Sequence, residues 1–227
     1  YQESQQYPIQ PDFPLERSPE ASAYQKGKVA CEDLLREVHS KSGFPVVILR
    51  PPAVYGPYNH LPDREFSYFA RALQRQTILI PGEPSALVQF AHVDDLANAF
   101  VAAAHAKSKA VGNAYTICGE YAITINHWIH SLGQVVDKPI NVVYTPGDQF
   151  AELNKKLGFK DTDIWPFGWG RQFCFSIDKS KTELQWAPNF DIKSGLEMTY
   201  RWWCERNLDK ILGDFSKDNR ILAELGK

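Results

Sequence analysis

From residue 18 to residue 42, apolar side chains recur at Val29, Leu34, Leu35 and Val38. That spacing marks one face of an α-helix. Ser18 is the expected N-cap, with Pro19 at the first helical position and Glu20 in the first turn. Gly43 and Pro45 supply the stop. Val46–Arg50 is then a continuous apolar run between prolines, suited to a strand buried on both faces of a parallel sheet. Arg64–Gln74 carries Phe66, Phe69, Ala70 and Leu73 at helical spacing. Ile78–Ile80, the Pro81-Gly82 turn and Ala86–His92 predict a hairpin. Asp94 or Asp95 is expected to cap a helix of small residues running through Ala106.

Further along, Asn113–Cys118 reads as a strand, Thr124 as the cap of a helix over Ile125–Val136, and Ile140–Tyr144 as another strand. Asp148–Leu157 predicts a short helix, and Asp178 is expected to cap one ending at Trp186. Ile192–Trp203 begins the last amphipathic helix, followed by a charged tail, Asn207–Lys227, with a few apolar anchors. Between them, Trp165, Phe167, Trp169 and Phe173 stand on a Gly/Pro-broken segment, expected to be core before sugar-stacking surface. Strands alternating with helices predict an α/β fold.

Composition narrows the class. The 227 residues are 44% hydrophobic, enough for one sizeable core, and the net charge is −2. Interspersed acids and bases leave no basic footprint for nucleic acid and no polybasic tract for lipid. No apolar run approaches membrane-spanning length. The four cysteines are widely spaced without a Cys-x-x-Cys, so reduced thiols in a cytosol-like compartment are expected. His127 and His130 are three apart on one helix, but no partner has metal-ligand spacing.

The candidate chemistry lies on the first helix. Tyr24 and Lys28 are i and i+4, so they share a face, roughly 5–6 Å apart at Cβ. A free tyrosine, with a pKa of about 10, is a poor base at neutral pH. An ammonium beside a phenol stabilises the phenolate and makes it usable in a hydroxyl–carbonyl conversion. A chain with 10 tyrosines and fifteen lysines would hold nearly one such pair by chance, so the spacing alone proves nothing.

Its surroundings carry the weight. Arg50-Pro-Pro-Ala-Val-Tyr-Gly-Pro57, Phe90-Ala-His-Val-Asp-Asp-Leu-Ala97, Leu184-Gln-Trp-Ala-Pro188 and Ile192-Lys-Ser-Gly-Leu196 follow in order. As a set, and over nearly the whole chain, these resemble the extended short-chain dehydrogenase/reductases, the family of NAD-dependent epimerases and dehydratases. The resemblance implies the C-terminal part of a doubly wound Rossmann-type parallel sheet with a small mixed α/β substrate-binding lobe. Residues 1–144 would be the remaining NAD(P)-binding part with interleaved lobe segments, and 145–227 mainly the lobe and tail. It implies Tyr24 as catalytic base supported by Lys28, with Pro51, Ala53 and Val54 also on the NAD or NADP cofactor, NAD favoured. Tyr55 and Arg171 would reach a substrate, typically a sugar nucleotide.

Two departures stand out. The family opens with a Gly-x-x-Gly-x-x-Gly turn and carries a catalytic Ser or Thr before the tyrosine, and neither is found here. The chain therefore looks like the C-terminal two-thirds of a longer protein, expected to be inactive alone. Many members also carry a phosphate-binding Arg where this chain has Leu87-Val-Gln89, which puts the nucleotide diphosphate in question. A second branch, the chloroplast stem-loop-binding proteins, is similar from Ile80 to Asn113 and from Phe173 onward. It implies a binding protein for RNA, against which stand the near-neutral charge and the Tyr24/Lys28 pair. Family members often dimerise through the tyrosine helix, which suggests Arg64–Gln74 as the other half of a homodimer contact.

Overall fold

The computed structural model describes residues 1–2, 6–60, 64–160, 163–165, 167, 170–210 and 213–227. In chain order the elements are α1 (Ala23–Ser42), β1 (Ile48–Arg50), β2 (Ala53–Tyr55), α2 (Glu65–Leu73), β3 (Ile78–Pro81), β4 (Leu87–Val88), β5 (Phe90–His92) and α3 (Val93–His105). Then come β6 (Ala114–Thr116), β7 (Ile123–Thr124), α4 (Ile125–Val136), β8 (Val142–Thr145), α5 (Gly147–Leu157), α6 (Asp178–Glu183), α7 (Ile192–Glu205) and α8 (Ser216–Glu224).

The strands pair as β1–β6, β2–β5 and β3–β8, all parallel, and β4–β7, antiparallel. Parallel partners need long crossovers, and here helices supply them. The expected hairpin is not formed. Ile78, Leu79 and Ile80 are all buried, which suits a strand covered on both faces, and β3 joins β8 instead. The second run splits into β4 and β5 at Gln89. That side chain donates Nε2 to Gly119 O (2.7 Å) and accepts at Oε1 from Phe175 N (2.7 Å). The loop after Pro51 likewise holds a short strand, β2, rather than only a turn.

Helix starts follow local hydrogen bonding, sometimes at a neighbour of the expected residue. Thr124 caps α4 as expected, its hydroxyl accepting from His127 N at 3.1 Å. α1 is capped by Ser22, not Ser18. Ser22 Oγ accepts from Gln25 N while Gln25 Oε1 accepts from Ser22 N, so two end N–H groups are satisfied reciprocally. Gly43 ends the helix in the left-handed region at φ 71°, as the stop signal predicts. α3 is capped by His92, whose Nδ1 accepts from Asp94 N, while Asp95 is buried and holds Asn189 N and Phe190 N. At α6, Asp178 is already inside the helix and Ser176 Oγ accepts its N–H.

Three cores follow. The largest packs Tyr68, Phe69, Trp128, Leu132, Trp165 and Trp203 between α2, α4 and α7. Trp165 lies edge-on to Tyr68, Trp128 and Phe167, in the core role expected for it, while Phe167 and Phe173 are partly buried and line a small cavity, and Trp169 lies outside the described residues. A second core sets Ala91, Tyr115, Ile117 and Trp186 around the strand ends. A third seals the tail: Ile221 and Leu222 of α8 meet Leu79 and Phe150, beside a buried Arg71–Asp218 ion pair at 2.9 Å. Each fully buried apolar side chain contributes about 1.5–3 kcal/mol.

Candidate functional site

The capping box fixes where α1 begins, and with it the position of Tyr24 in the first turn. Tyr24 and Lys28 lie one turn apart, with Lys28 Nζ 5.4 Å from the centroid of the tyrosine ring. Tyr24 is 74% exposed. Neither side chain has a hydrogen-bond or ion-pair partner among the described residues. Both open onto a cleft of ≈ 400 Å³ that also takes in Pro51 and Pro52 after β1, Thr116 on β6, and Phe175.

The floor of this cleft is a clamp that the sequence reading did not identify. Arg50, at the end of β1, binds Glu32 of α1 through two parallel bonds of 2.8 and 2.5 Å. Its Nη1 also donates to Pro11 O (2.6 Å) and to the Tyr1 hydroxyl (3.0 Å). Both charges are mostly shielded, and a bidentate Arg–carboxylate pair is directional. The clamp therefore sets the height of α1 over the strand end, one turn beyond Lys28. The available signal was an arginine closing an otherwise apolar strand.

The remaining expected residues scatter. Pro51 lines the cleft with Tyr24 and Lys28, whereas Ala53 lines a smaller cavity next to it. Val54 packs into the second core. Tyr55 is buried and not among the groups lining the cleft. Its hydroxyl lies 3.5 Å from Asp191 O, and burial, then Asp95, Asp191 and Glu65, raise that phenol above its ordinary range. Arg171 is exposed and does not line the cleft either, although its charge acts on Glu16 at the rim.

A larger cavity of ≈ 600 Å³ lies between Tyr55, His92, His127 and the start of α7. Several of its polar groups are committed to structure, while His92 Nε2 is buried there without a hydrogen-bond partner among the described residues. Asp191 caps α7 through Ser194 N at 2.7 Å, Ser131 donates to His127 O, and Asn189 is held by Asp95. His127 and His130 line different cavities, and no cluster of metal-ligating side chains occurs among the described residues. Among the same residues, no helix is long and apolar enough to cross a membrane.

A family model described as the NAD dependent epimerase/dehydratase family matches residues 1–118. The Arabidopsis thaliana chloroplast stem-loop binding protein of 41 kDa b is 29% identical over 88% of this chain and 49% of its own length. A dTDP-glucose 4,6-dehydratase from Xanthomonas campestris pv. campestris is 25% identical over 80% of this chain and 49% of its own. Among solved structures, the UDP-glucuronic acid 4-epimerase of Bacillus cereus, in complex with NAD, superposes with a TM-score of 0.68 at 25% identity. It covers 87% of this chain and 56% of the epimerase. The chain thus spans about half the length of the curated relatives it matches, and its α/β architecture is part of their Rossmann-type fold. By its sequence and its strand arrangement, the chain belongs to the NAD-dependent epimerase/dehydratase family.

Proposed function

We propose that the protein carrying this chain is an NAD(P)-dependent enzyme of the epimerase/dehydratase type, with NAD favoured, acting on a sugar nucleotide or a related hydroxylated substrate. One observation carries the reading: an exposed phenol and an unpaired ammonium share the mouth of one cleft, at the C-terminal end of a parallel strand. That is where α/β sheets bind dinucleotides. The donor set fits such a group, because Glu32 is consumed by Arg50 and leaves Lys28 free to meet ribose hydroxyls.

A nicotinamide dinucleotide, when bound, supplies the hydride acceptor and donor. Tyr24 takes the proton from the substrate hydroxyl as the carbonyl forms, and returns it in the reverse half. Lys28 places positive charge beside that phenol. The Arg50–Glu32 clamp keeps both on a helix that cannot slide against the strand. Pairing of two copies through α1 belongs to the same proposal, since Leu34, Leu35 and Val38 are exposed on it. The expected second half, Arg64–Gln74, is not available for this: α2 buries Phe66, Tyr68 and Phe69 inside its own chain.

The test is Tyr24→Phe in the intact protein. Turnover of nucleotide hexoses and simple secondary alcohols with NAD+ is expected to fall by about 10²–10⁴-fold. NAD+ affinity and melting temperature should stay close to those of the parent, because the hydroxyl is exposed. Undiminished turnover by the variant would sink the reading.

A further inference from the structure

Next to the Tyr24/Lys28 cleft lies a cavity of ≈ 120 Å³, and the two share Pro52 and Phe175 as walls. The other walls include Val88, Phe90, Phe167 and Phe173. Phe90 and Phe167 stand edge to face at 5.3 Å, and Phe173 and Phe175 lie 6.4 Å apart. The polar side chain among these walls is Gln89, and both ends of its amide are spent on backbone, one on Gly119 and one on Phe175. Among the described residues no cation lines the cavity. Arg64 sits over the Phe167 ring, 5.4 Å from its centroid, without reaching the lining, and Arg171 faces solvent.

Size and chemistry then select the occupant. An apolar cavity of about 150 Å³ accepts benzene, so this one is matched to a single six-membered ring. A phosphate entering it would lose its hydration without gaining a counter-charge. We propose that the cavity is a substrate subsite for one uncharged aromatic or unsaturated ring, carried next to the carbon that reacts at Tyr24. The substrate is then a ring-bearing secondary alcohol, or its ketone, rather than a diphosphate sugar. This rests on the reading of Tyr24 and Lys28 given above. In the reaction the carbinol C–H leaves as hydride to the bound dinucleotide, the O–H proton goes to Tyr24, and the C=O bond forms.

The experiment measures binding apart from turnover, on the intact protein, with acetophenone and 1-phenylethanol as probes and UDP as competitor. Acetophenone is expected to bind, and UDP is expected not to displace it. Phe173→Leu, which keeps the site apolar but removes one ring, should weaken it about fivefold, and Val88→Arg, which points a cation inward, about tenfold. Displacement by UDP, no binding, or unchanged affinity in folded Phe173→Leu protein would each overturn the subsite. Normal acetophenone binding without turnover of any alcohol would instead overturn the Tyr24 reading and leave the subsite standing.

Discussion

Helices α1 and α2 are both amphipathic, and they meet opposite fates. α1 runs for 20 residues, is capped at both ends, and buries none of them. α2 runs for 9 residues with no side-chain cap, yet buries both faces, including Glu65 and Arg71. The longer helix is held by its own ends and by charged bonds outward, Arg17–Asp33 and Arg50–Glu32. The shorter one exists because α4 and α7 close over it, so its stability is tertiary rather than local. Chemistry needs open side chains on a rigid support, and α1 offers that. α2 cannot, since most of its side chains are buried.

That contrast can be broken from the buried side first. Asp218→Ala should cost about 3–5 kcal/mol in a denaturant melt, because it strands Arg71 in the core. A cost under about 1 kcal/mol would mean water reaches the pair. Gly195→Ala comes next. A Cβ there would fall 2.0 Å from the Tyr55 hydroxyl oxygen, and overpacking of this kind costs about 1–3 kcal/mol. Tyr55→Phe in the same background should recover part of that loss, and no recovery would place the clash elsewhere.

Protonation gives a smaller effect. Burial holds the His92 imidazole below its ordinary range, with Asp94 and Asp95 opposing. A group depressed in the folded state stabilises above its unfolded value and loses that contribution as pH falls through the folded one. Stability should therefore drop as pH falls below about 6.5, by no more than about 1.4 kcal/mol per pH unit for one proton. His92→Asn, which keeps an acceptor for Asp94 N, should flatten that stretch of the profile, and an unchanged slope would assign it to other groups. Smallest is Ser22→Ala, expected to cost about 1 kcal/mol by removing the capping box at the open end of α1. If it cost several times more, α1 would not be the locally stabilised helix described here.

The grouping of Tyr24, Lys28 and Pro51 around one cleft was legible because its signals are short-range. Tyr24 and Lys28 sit one turn apart in any helix, and Pro51 follows directly on the strand that the prolines bracket. The residues around them were legible only in part. Arg50 and Glu32 are 18 positions apart, and nothing local says that they meet. Tyr55 reads like a substrate contact beside Gly56; α7 arrives over it, and the buried ring lines the larger cavity rather than the Tyr24 cleft.

The sequence sets where the helices before the tail lie and several of their ends, since caps, stops and apolar periodicity act within a few residues, whereas α8 forms inside what reads as a charged tail. The sequence also determined the charge balance and the motif set that marks the family. Strand pairing is settled by the assembled fold, because parallel partners such as β3 and β8 come from distant segments and leave no turn between them to read. The fold decided as well which of the aromatics are spent on the core and which wall a cavity beside Tyr24. Packing distributes side chains by neighbours in space, and those neighbours are set by the assembled fold rather than by position along the chain.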